Sequence, residues 1–341
     1  MLGREQLGIE TLLAGLRAGG DLTRIRLLVL LSEGDLNVKD LTQILGQSQP
    51  RISRHLKLLS EAGLIARFRE GSWVFYRLAE QGALGDLANQ IVALVLRGEP
   101  VVARDLERLA AVKDERAAQA AAYFRSHAAD WDKVRALHVD EGEVERAMVE
   151  AVGRDPFGRL LDLGTGTGRV LELFSPSIER GVGLDMSHEM LALARSRLEA
   201  AGIAHAQVRH GDLYNLPFEA GSFDAVTVHQ VLHFLDDPAR AISEAARMLT
   251  PGGRMLIVDF APHELEFLRE EHAHRRLGFA HDQVTRWVNE AGLDVELTRD
   301  LAPPAGAGDL GLIVSLWLAK APGRTPRLGK EASAREMEIL S

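Results

Sequence analysis

The sequence predicts an α/β protein of two folded units, a small helical unit with a β-hairpin followed by a parallel sheet with flanking helices. Its 341 residues are about twice the roughly 150 residues typical of one domain. Helical periodicity, a basic helix and an alternating hairpin pattern occupy residues 22–78. An apolar strand then runs into a glycine-rich turn between Leu160 and Arg169, which predicts a strand-turn-helix unit.

Composition excludes several classes of protein. A hydrophobic content of 46% and a charged content of 26% are ordinary for a globular protein in water. No stretch approaches the roughly 20 apolar residues that a bilayer requires, and residues 1–16 lack the pattern of a secretion signal. We therefore expect a cytoplasmic location and no membrane partner. The absence of cysteine excludes disulfides, thiolate metal ligands and cysteine nucleophiles.

Charge is distributed unevenly along the chain. The formal net charge is −9, yet residues 1–100 hold 12 Lys and Arg against 11 Asp and Glu, so the negative excess lies in the remainder. Residues 51–77 hold six Lys and Arg against two Glu. An acidic protein with one basic segment is expected to contact nucleic acid through that segment alone.

Three helices are predicted in the first hundred residues. Apolar residues at helical spacing predict helices over Leu22–Leu31 and Asn37–Leu45, and Gly46 marks the turn that follows. In the third helix we expect the Ser48 side chain to cap the N-terminus and Pro50 to lie in the first turn. The apolar residues of that helix recur at helical spacing and are expected to face a core: Ile52, Leu56 and Leu59.

The polar residues around this third helix suit the major groove of DNA, since Arg can bond guanine, Gln can bond adenine, and Ser or Lys can hold phosphate. A solvated polar face is the other interpretation. The runs Leu64–Phe68 and Trp73–Leu78 predict a hairpin beside the helix, which favours contact with DNA. The expected DNA-binding residues are Gln47, Ser48, Gln49, Arg51, Ser53, Arg54, His55, Lys57, Arg67 and Arg69.

Residues 10–97 resemble the ArsR (arsenic repressor) family of winged-helix regulators. The resemblance rests on Leu22-Thr-Arg-Ile-Arg-Leu-Leu, Ser48-Gln-Pro-Arg-Ile-Ser-Arg-His-Leu-Lys-Leu-Leu and Glu61-Ala-Gly-Leu-Ile. It implies a homodimer that pairs through the apolar helix at Leu84–Leu96 and binds a double-stranded DNA operator with an inverted repeat. A buried terminal helix with no role in pairing is the alternative for that segment.

The metal sites of that family are not expected here. Asn37 and Lys39 stand where its arsenic and cadmium sensors have a cysteine pair. The segment Leu84–Leu96 contains Asp86 and no His, which is too few ligands for zinc. We therefore expect no metal, and a regulator of this type would respond to another ligand.

Residues 101–151 are predicted to form a helical connection that joins the two units stiffly. Tyr123-Phe124 and Trp131-Asp132 are among its few aromatic positions. Such a segment can lie across a cofactor pocket as a lid, and Tyr123 is a candidate to face a ligand cation. A packing role is the alternative for each.

The second unit begins with candidate nucleotide-binding residues. The strand before the glycine turn ends near Asp162, and a second strand, Gly181-Val-Gly-Leu, ends in Asp185 about twenty residues on. A carboxylate there can accept ribose hydroxyls and would repel a 2′-phosphate, which disfavours NADP and leaves NAD open. A third strand is followed by Asp212 and Leu213, and a fourth runs from Phe223 towards His233.

These elements, in this order over about residues 115–320, resemble class I S-adenosylmethionine (SAM) dependent methyltransferases of the ubiquinone and menaquinone type. The resemblance implies a Rossmann-like seven-stranded sheet, with SAM or S-adenosylhomocysteine (SAH) as the cofactor. It implies contacts with the methionine end, ribose, adenine and sulfonium by Asp162, Gly164, Thr165, Gly166, Asp185, Met186, Asp212, Leu213, His229 and Tyr123.

Several histidines have two interpretations. His229 or His233 could deprotonate a methyl acceptor, although a histidine that holds a loop at a strand end is the alternative. His263, His272 and His274, with His281, form a run over residues 262–282. No two of them are one helical turn apart, so we expect a solvated helix and no metal site.

The sheet is completed by a helix at Gln283–Gly292 and strands at Leu293–Leu297 and Leu310–Leu318. The predicted domains are 1–100, 101–156, 157–320 and a tail at 321–341. We expect a regulator whose DNA binding depends on SAM or SAH as effector. The alternatives are an active methyltransferase on a small-molecule acceptor, with the winged helix giving autoregulation or dimerisation, and an inactive domain kept as a dimer scaffold.

Overall fold

The computed structural model describes residues 7–70, 73–79, 82–127, 141–153, 156–302 and 311–323. The first unit contains, in chain order, α1 Ile9–Gly19, α2 Leu22–Leu31, β1 Leu36–Asn37, α3 Val38–Leu45, α4 Gln49–Glu61, β2 Ile65–Glu70, β3 Trp73–Leu78 and α5 Gly82–Leu94. The connecting helices are α6 Pro100–His127 and α7 Glu141–Val152. The second unit contains β4 Phe157–Leu163, α8 Arg169–Phe174, β5 Ile178–Asp185, α9 His188–Ala200, β6 Ala206–His210, β7 Phe223–His229, α10 Pro238–Arg247, β8 Leu249–Phe260, α11 Phe267–Glu271, α12 His281–Glu290, β9 Asp294–Leu301 and β10 Val314–Lys320.

The helices α2, α3 and α4 form the predicted helix-turn-helix core. Asn37 and Asp40 cap the start of α3 reciprocally, each side chain accepting from the other residue's backbone N–H. Gly46 ends α3 in the left-handed conformation at φ 63°. The predicted core face of α4 is fully buried at Ile52, Leu56 and Leu59. Ser48 precedes α4 as expected, but its side chain makes no capping hydrogen bond, so that detail of the prediction is wrong.

The predicted hairpin is present as a three-stranded antiparallel sheet. Its strand order is β1-β3-β2, and Ile65 of β2 pairs with Leu78 of β3. Two glycines of α1 let this helix pack closely on α5, since a Cβ on Gly15 would lie 3.0 Å from Leu84 and a Cβ on Gly19 would lie 3.0 Å from Ile91.

The long helix α6 is fixed to the helix-turn-helix by charged contacts. Its 28 residues correspond to about 42 Å at 1.5 Å per residue. Asp105 accepts two hydrogen bonds from Arg26 of α2, at 2.6 and 2.7 Å. Arg108 donates to the carbonyl of Ile44 at 3.0 Å, at the end of α3. The N-terminal half of α6 is therefore held against both α2 and α3.

The described residues of the second unit form a seven-stranded sheet in the order β6-β5-β4-β7-β8-β10-β9. The first five strands are parallel, and β10 is antiparallel to both of its neighbours. This confirms the predicted α/β fold with a seven-stranded sheet and flanking helices. Because β4 lies between β5 and β7, the chain leaves the sheet in opposite directions there, and ligands of such sheets bind at that crevice.

The glycine turn after β4 is packed tightly against the start of the segment that follows β7. Gly164 has φ +68°, and a Cβ built on it would lie 2.3 Å from Cγ2 of Val231. The backbone N–H groups of Gly164 and Thr165 both donate to the carbonyl of Leu184, at 2.8 and 3.0 Å. The turn therefore requires glycine for conformation and for space.

The histidine-rich segment is not the solvated helix that the sequence predicts. Only Phe267–Glu271 is helical between β8 and α12. The ring of His274 lies 4.2 Å from that of His233, and burial lowers the pKa of His263 from 6.5 to about 4. Apolar residues of the segment are buried, among them Leu277 and Phe279. Removing them from water is favourable, and this holds the segment against the second unit.

Two findings concern membranes and metals. In the portion of the chain that the structure describes, no helix is long and apolar enough to cross a membrane. Within that same portion, no group of three or more His, Asp or Glu residues is placed to hold a metal ion.

We expect Gly164→Ala to destabilise the second unit more than Gly202→Ala. Gly202 has the same φ of +68°, but a Cβ built on it would meet nothing within 4 Å. Both variants incur the left-handed strain of about 1–2 kcal/mol, and Gly164→Ala adds overpacking of about 1–3 kcal/mol. Urea unfolding of the two variants measures the difference in free energy of unfolding. Equal losses of unfolding free energy in the two variants would show that the Val231 side chain moves aside at no measurable cost.

Candidate functional site

A cavity of about 200 Å³ opens at the carboxyl edge of the sheet, between the glycine turn, the end of β5 and the residues after β7. Most of the predicted cofactor-binding residues line it: Gly164, Thr165, Gly166, Asp185, Met186, Leu213 and His229. The parallel strands place these residues together because their carboxyl ends meet at one edge.

Asp185 connects the end of β5 to the glycine turn by a hydrogen bond. Its Oδ2 accepts from the backbone N–H of Gly166 at 2.9 Å, and its Oδ1 accepts from that of Ser187 at 2.8 Å. Burial raises the pKa of Asp185, and these backbone donors act in the opposite direction. Each carboxylate oxygen has a second lone pair, so the group can also accept ligand hydroxyls.

Apolar side chains flank the space beside Asp185. Leu213 is 7% exposed, whereas Met186 is 58% exposed, and both line the cavity. A planar group between them would lose contact with water on both faces. This part of the cavity suits an aromatic ring, and Asp185 suits the polar group joined to that ring.

Three of the predicted residues do not line the cavity. Asp162 is buried, and its Oδ1 accepts from the hydroxyl of Thr227 at 2.7 Å, which links β4 to β7. Asp212 is exposed and accepts from the backbone N–H of Tyr214. The hydroxyl of Tyr123 lies 2.7 Å from Nδ1 of His272, and burial raises the pKa of Tyr123 to about 12. Residues 128–140, with the predicted lid residues Trp131 and Asp132, lie outside the described part of the chain.

The two candidate bases differ in their surroundings. His229 ends β7 and lines the cavity. His233 is 2% exposed, and its Nδ1 lies 2.8 Å from Oδ1 of Asp259. The backbone carbonyl of His233 accepts from the N–H groups of Arg275 and Arg276. His233 therefore holds the loop after β7, as the second of the two interpretations expects.

Gln230 is a site residue that the sequence does not reveal. It is a non-glycine residue at φ 53°, a conformation that is uncommon for side chains with a Cβ and is found most often where surrounding structure enforces it. Its Nε2 is buried and has no hydrogen-bond partner among the described residues, and Gln230 lines the cavity. A polar ligand would supply that partner.

Charged residues from four segments complete the wall, and sequence reasoning missed them. Arg275 makes an ion pair with Asp236 at 2.5 Å, and Nη1 of Arg116 lies 3.7 Å from the same carboxylate. Arg169 makes a two-point contact with Glu145 of α7 at 2.6 and 2.7 Å. These residues are far apart in the sequence, so no local pattern indicates that they meet.

Most of the expected DNA-binding residues are exposed. Those that are exposed are Ser48, Gln49, Arg51, Arg54, Lys57, Arg67 and Arg69. Gln47 and Ser53 are half-buried. His55 is also half-buried: its side chain is 15% exposed, and its Nδ1 lies 3.7 Å from Oδ1 of Asp21, the residue that caps α2. Burial lowers the pKa of His55 despite that carboxylate.

Two family models match the chain. The model described as the arsR family of bacterial regulatory proteins matches residues 21–67, which run from the residue before α2 into β2. The model described as a methyltransferase domain matches residues 161–257, from β4 into β8. Each match covers the elements whose sequence motifs resemble that family.

Curated relatives match a little over a third of the chain. The uncharacterized methyltransferase YcgJ of Bacillus subtilis (strain 168) is 34% identical over 125 residues, which are 36% of this chain and 49% of the relative. A demethylmenaquinone methyltransferase of Deinococcus radiodurans is 38% identical over 136 residues, which are 38% of this chain and 54% of the relative. The chain thus spans about half the length of these relatives.

A solved structure of YcgJ from Bacillus subtilis has a TM-score of 0.45 and 21% identity, and the match covers 52% of this chain and 99% of that one. The two family matches do not overlap, and both lie within one chain. The chain therefore carries a segment similar to the arsR family of regulatory proteins and, separately, a segment similar to the methyltransferase domain family.

Proposed function

We propose that this protein is a DNA-binding transcription regulator whose second unit binds SAM or SAH as effector. The observation that supports this most directly is the position of α6, which contacts the helix-turn-helix through Asp105 and Arg108 and contributes Arg116 to the cavity wall. One rigid element thus touches both sites. A ligand that favours one arrangement of α6 can change DNA affinity by a coupling free energy of about 1–3 kcal/mol.

The residues at the sheet edge fit an adenosine-containing ligand. Asp185 would accept the ribose hydroxyls, and Leu213 and Met186 would cover the two faces of adenine. The buried Nε2 of Gln230 would donate to a polar oxygen, and the glycine turn permits close approach of the backbone. When bound, SAM would supply an activated methyl group, whereas the residues named here bind and orient the ligand.

The first unit fits duplex DNA. Gln49, Arg51 and Arg54 of α4 are exposed, whereas the core residues of the same helix are buried. Arg67 and Arg69 of β2 are exposed beside it, and Arg77 lies over the ring of Phe68 at 4.5 Å. We infer that α4 enters the major groove and that the hairpin contacts the backbone.

We infer further that the protein is a homodimer. Large apolar side chains near the end of α1 and at and just after the end of α5 are exposed: Leu16 is 46%, Leu94 is 87% and Leu96 is 73% exposed. The ends of these two helices lie close together, since a Cβ on Gly19 would lie 3.0 Å from Ile91, and exposed apolar residues grouped in this way indicate a protein interface. A two-fold pair formed there would present two copies of α4 to two operator half-sites.

An active methyltransferase is the second candidate, and one observation favours it. A second cavity of about 520 Å³ lies between the two units and shares Arg116 and Arg275 with the first. It offers space for a methyl acceptor beyond the cofactor cavity. His229 would be the nearest candidate for proton transfer. Transfer of labelled methyl from SAM to an acceptor above background would favour this function.

Asp185→Ala should weaken SAH binding by about 10- to 100-fold, because hydrogen bonds to a charged group contribute about 1.5–3 kcal/mol. Glu179→Gln is the matched control, since Glu179 is exposed at the opposite end of the same strand. Calorimetric titration of both variants with SAH and SAM measures the affinities. Wild-type affinity in Asp185→Ala would place the ligand elsewhere.

The double variant Arg51→Ala with Arg54→Ala should weaken duplex binding by at least about tenfold. The salt dependence should fall by about one unit of slope for each phosphate that an arginine no longer neutralises. Arg195→Ala, on the exposed side of α9, is the control. Fluorescence anisotropy with a duplex selected from a random pool by the wild-type protein measures both quantities. Unchanged affinity and slope would exclude α4 from the interface.

Leu94→Asp with Leu96→Asp should convert a dimer into a monomer, because a charge at the centre of an apolar interface is left without a partner. Leu193→Asp is the control, since Leu193 of α9 is 38% exposed and lies on the other unit. Sedimentation equilibrium gives the mass. A dimer that persists in the double variant would show that pairing uses another surface.

A further inference from the structure

Asp236 is the cavity-wall residue of the second unit that faces the connecting helix α6. It lies in the cavity lining after β7, and its one carboxylate faces two arginines. Arg275 approaches it at 2.5 Å and Arg116 at 3.7 Å. Its backbone carbonyl accepts from Nη2 of Arg276 at 3.4 Å. Three guanidinium groups therefore depend on the position of a single cavity residue.

Arg116 connects this carboxylate to the helix-turn-helix. Its Nη2 donates to Oδ1 of Asp40, which is 4% exposed. Oδ2 of Asp40 accepts from the backbone N–H of Asn37, so the same carboxylate closes the capping box of α3. A shift of Arg116 therefore acts directly on the start of α3, and α3 packs against the recognition helix α4.

Arg276 makes a second connection between the second unit and the helix-turn-helix unit. Arg276 is 3% exposed, and its Nη2 donates to Oδ2 of Asp35 at 3.0 Å, in the turn before β1. Its guanidinium lies 4.9 Å from the centre of the Phe75 ring in β3. The loop that holds Asp236 is thus joined to both the turn before α3 and the hairpin.

The interface around Arg116 has room to rearrange. The cavity of about 520 Å³ between the units has Arg116, Arg275 and Asp40 in its walls. Burial lowers the pKa of Arg275 to about 10, and Asp236 raises it in opposition. If such a guanidinium loses its carboxylate partner, pairing with a second carboxylate is strongly favoured, because an unpaired buried charge is strongly destabilising.

We propose that Arg116 is a positioning residue that couples occupancy of the cofactor cavity to α3, and so to the recognition helix, by sharing Asp236 with Arg275 while it holds Asp40. The proposal rests on the proposed function, in which the cavity binds SAM or SAH. A ligand that displaces Asp236 changes how two arginines share one carboxylate, and Arg116 is the one that also contacts the DNA-binding unit.

Hydrogen exchange of the full chain, with and without saturating SAH, tests this without knowledge of the operator. The variants are Arg116→Gln and, from the other side of the link, Asp236→Asn. Lys113→Gln is the matched control: it removes a hydrogen bond from α6 to the backbone carbonyl of Glu33 in the first unit that does not involve the cavity. Thermal unfolding shows that each variant is folded, and calorimetry shows that SAH is saturating.

In wild type we expect SAH to slow exchange at residues 164–186 and to change it at residues 37–45 by at least about fivefold, the lower end of allosteric coupling. Arg116→Gln and Asp236→Asn should keep the first effect and reduce the second to less than about twofold. Lys113→Gln should keep both. Anisotropy with the selected duplex should show the same loss of SAH dependence in the two variants.

The outcomes separate the two proposals. If wild type binds neither SAM nor SAH, or binds them without any change at residues 37–45 or in DNA affinity, the sensing function fails and the coupling role fails with it. If wild type shows both changes and Arg116→Gln with Asp236→Asn retain them in full, the sensing function stands and the role of Arg116 is overturned. Loss of both changes in Lys113→Gln as well would also overturn it, because any weakening of the contact of α6 with the first unit would then suffice.

Discussion

The continuous helix α6 is the constraint on which the arrangement of the two units depends. A helix transmits position along its axis because each residue is fixed by hydrogen bonds four residues away. The first half of α6 is fixed on α2 and α3 by Arg26, Asp105 and Arg108, and Arg116 follows about two turns later at the cavity wall. A flexible linker would leave the two units independent of each other. Here the position of one unit restricts the other.

The parallel sheet imposes the second constraint. Because β4, β5 and β7 run in one direction, the glycine turn, Asp185 and His229 all lie at one edge. The charged loop after β7 lies at the same edge, so the cavity and the contact with the first unit share residues. In a methyltransferase domain this edge is where ligands bind. In this chain the helix-turn-helix unit, through Asp35 and Asp40, is packed beside it.

Local patterns predicted the elements and much of the site, and long-range contacts account for what they missed. The spacing of Ile52, Leu56 and Leu59 is a property of one helix, so the buried face of α4 followed from it. Asp236 and Arg275 lie 39 positions apart, and their pairing depends on how β8 returns the chain to the cavity. The left-handed backbone conformation of Gln230 could not be predicted, because no glycine stands at that position. The histidine run was predicted to be solvated because helical spacing alone does not register the burial of Leu277 and Phe279.

The contact between the two units contains buried ion pairs. Apolar residues of similar size at these positions would stabilise the contact at least as well. Arg276 and Asp40 are each less than 5% exposed, and both are paired across the contact. Desolvation offsets most of the attraction in such pairs, so they contribute little net stability, yet each is costly to break singly. In such an interface each buried arginine must be paired with one carboxylate or another, and arrangements that leave a charge unpaired are disfavoured. That is the behaviour a ligand needs if a modest difference in affinity is to select between two arrangements of α6.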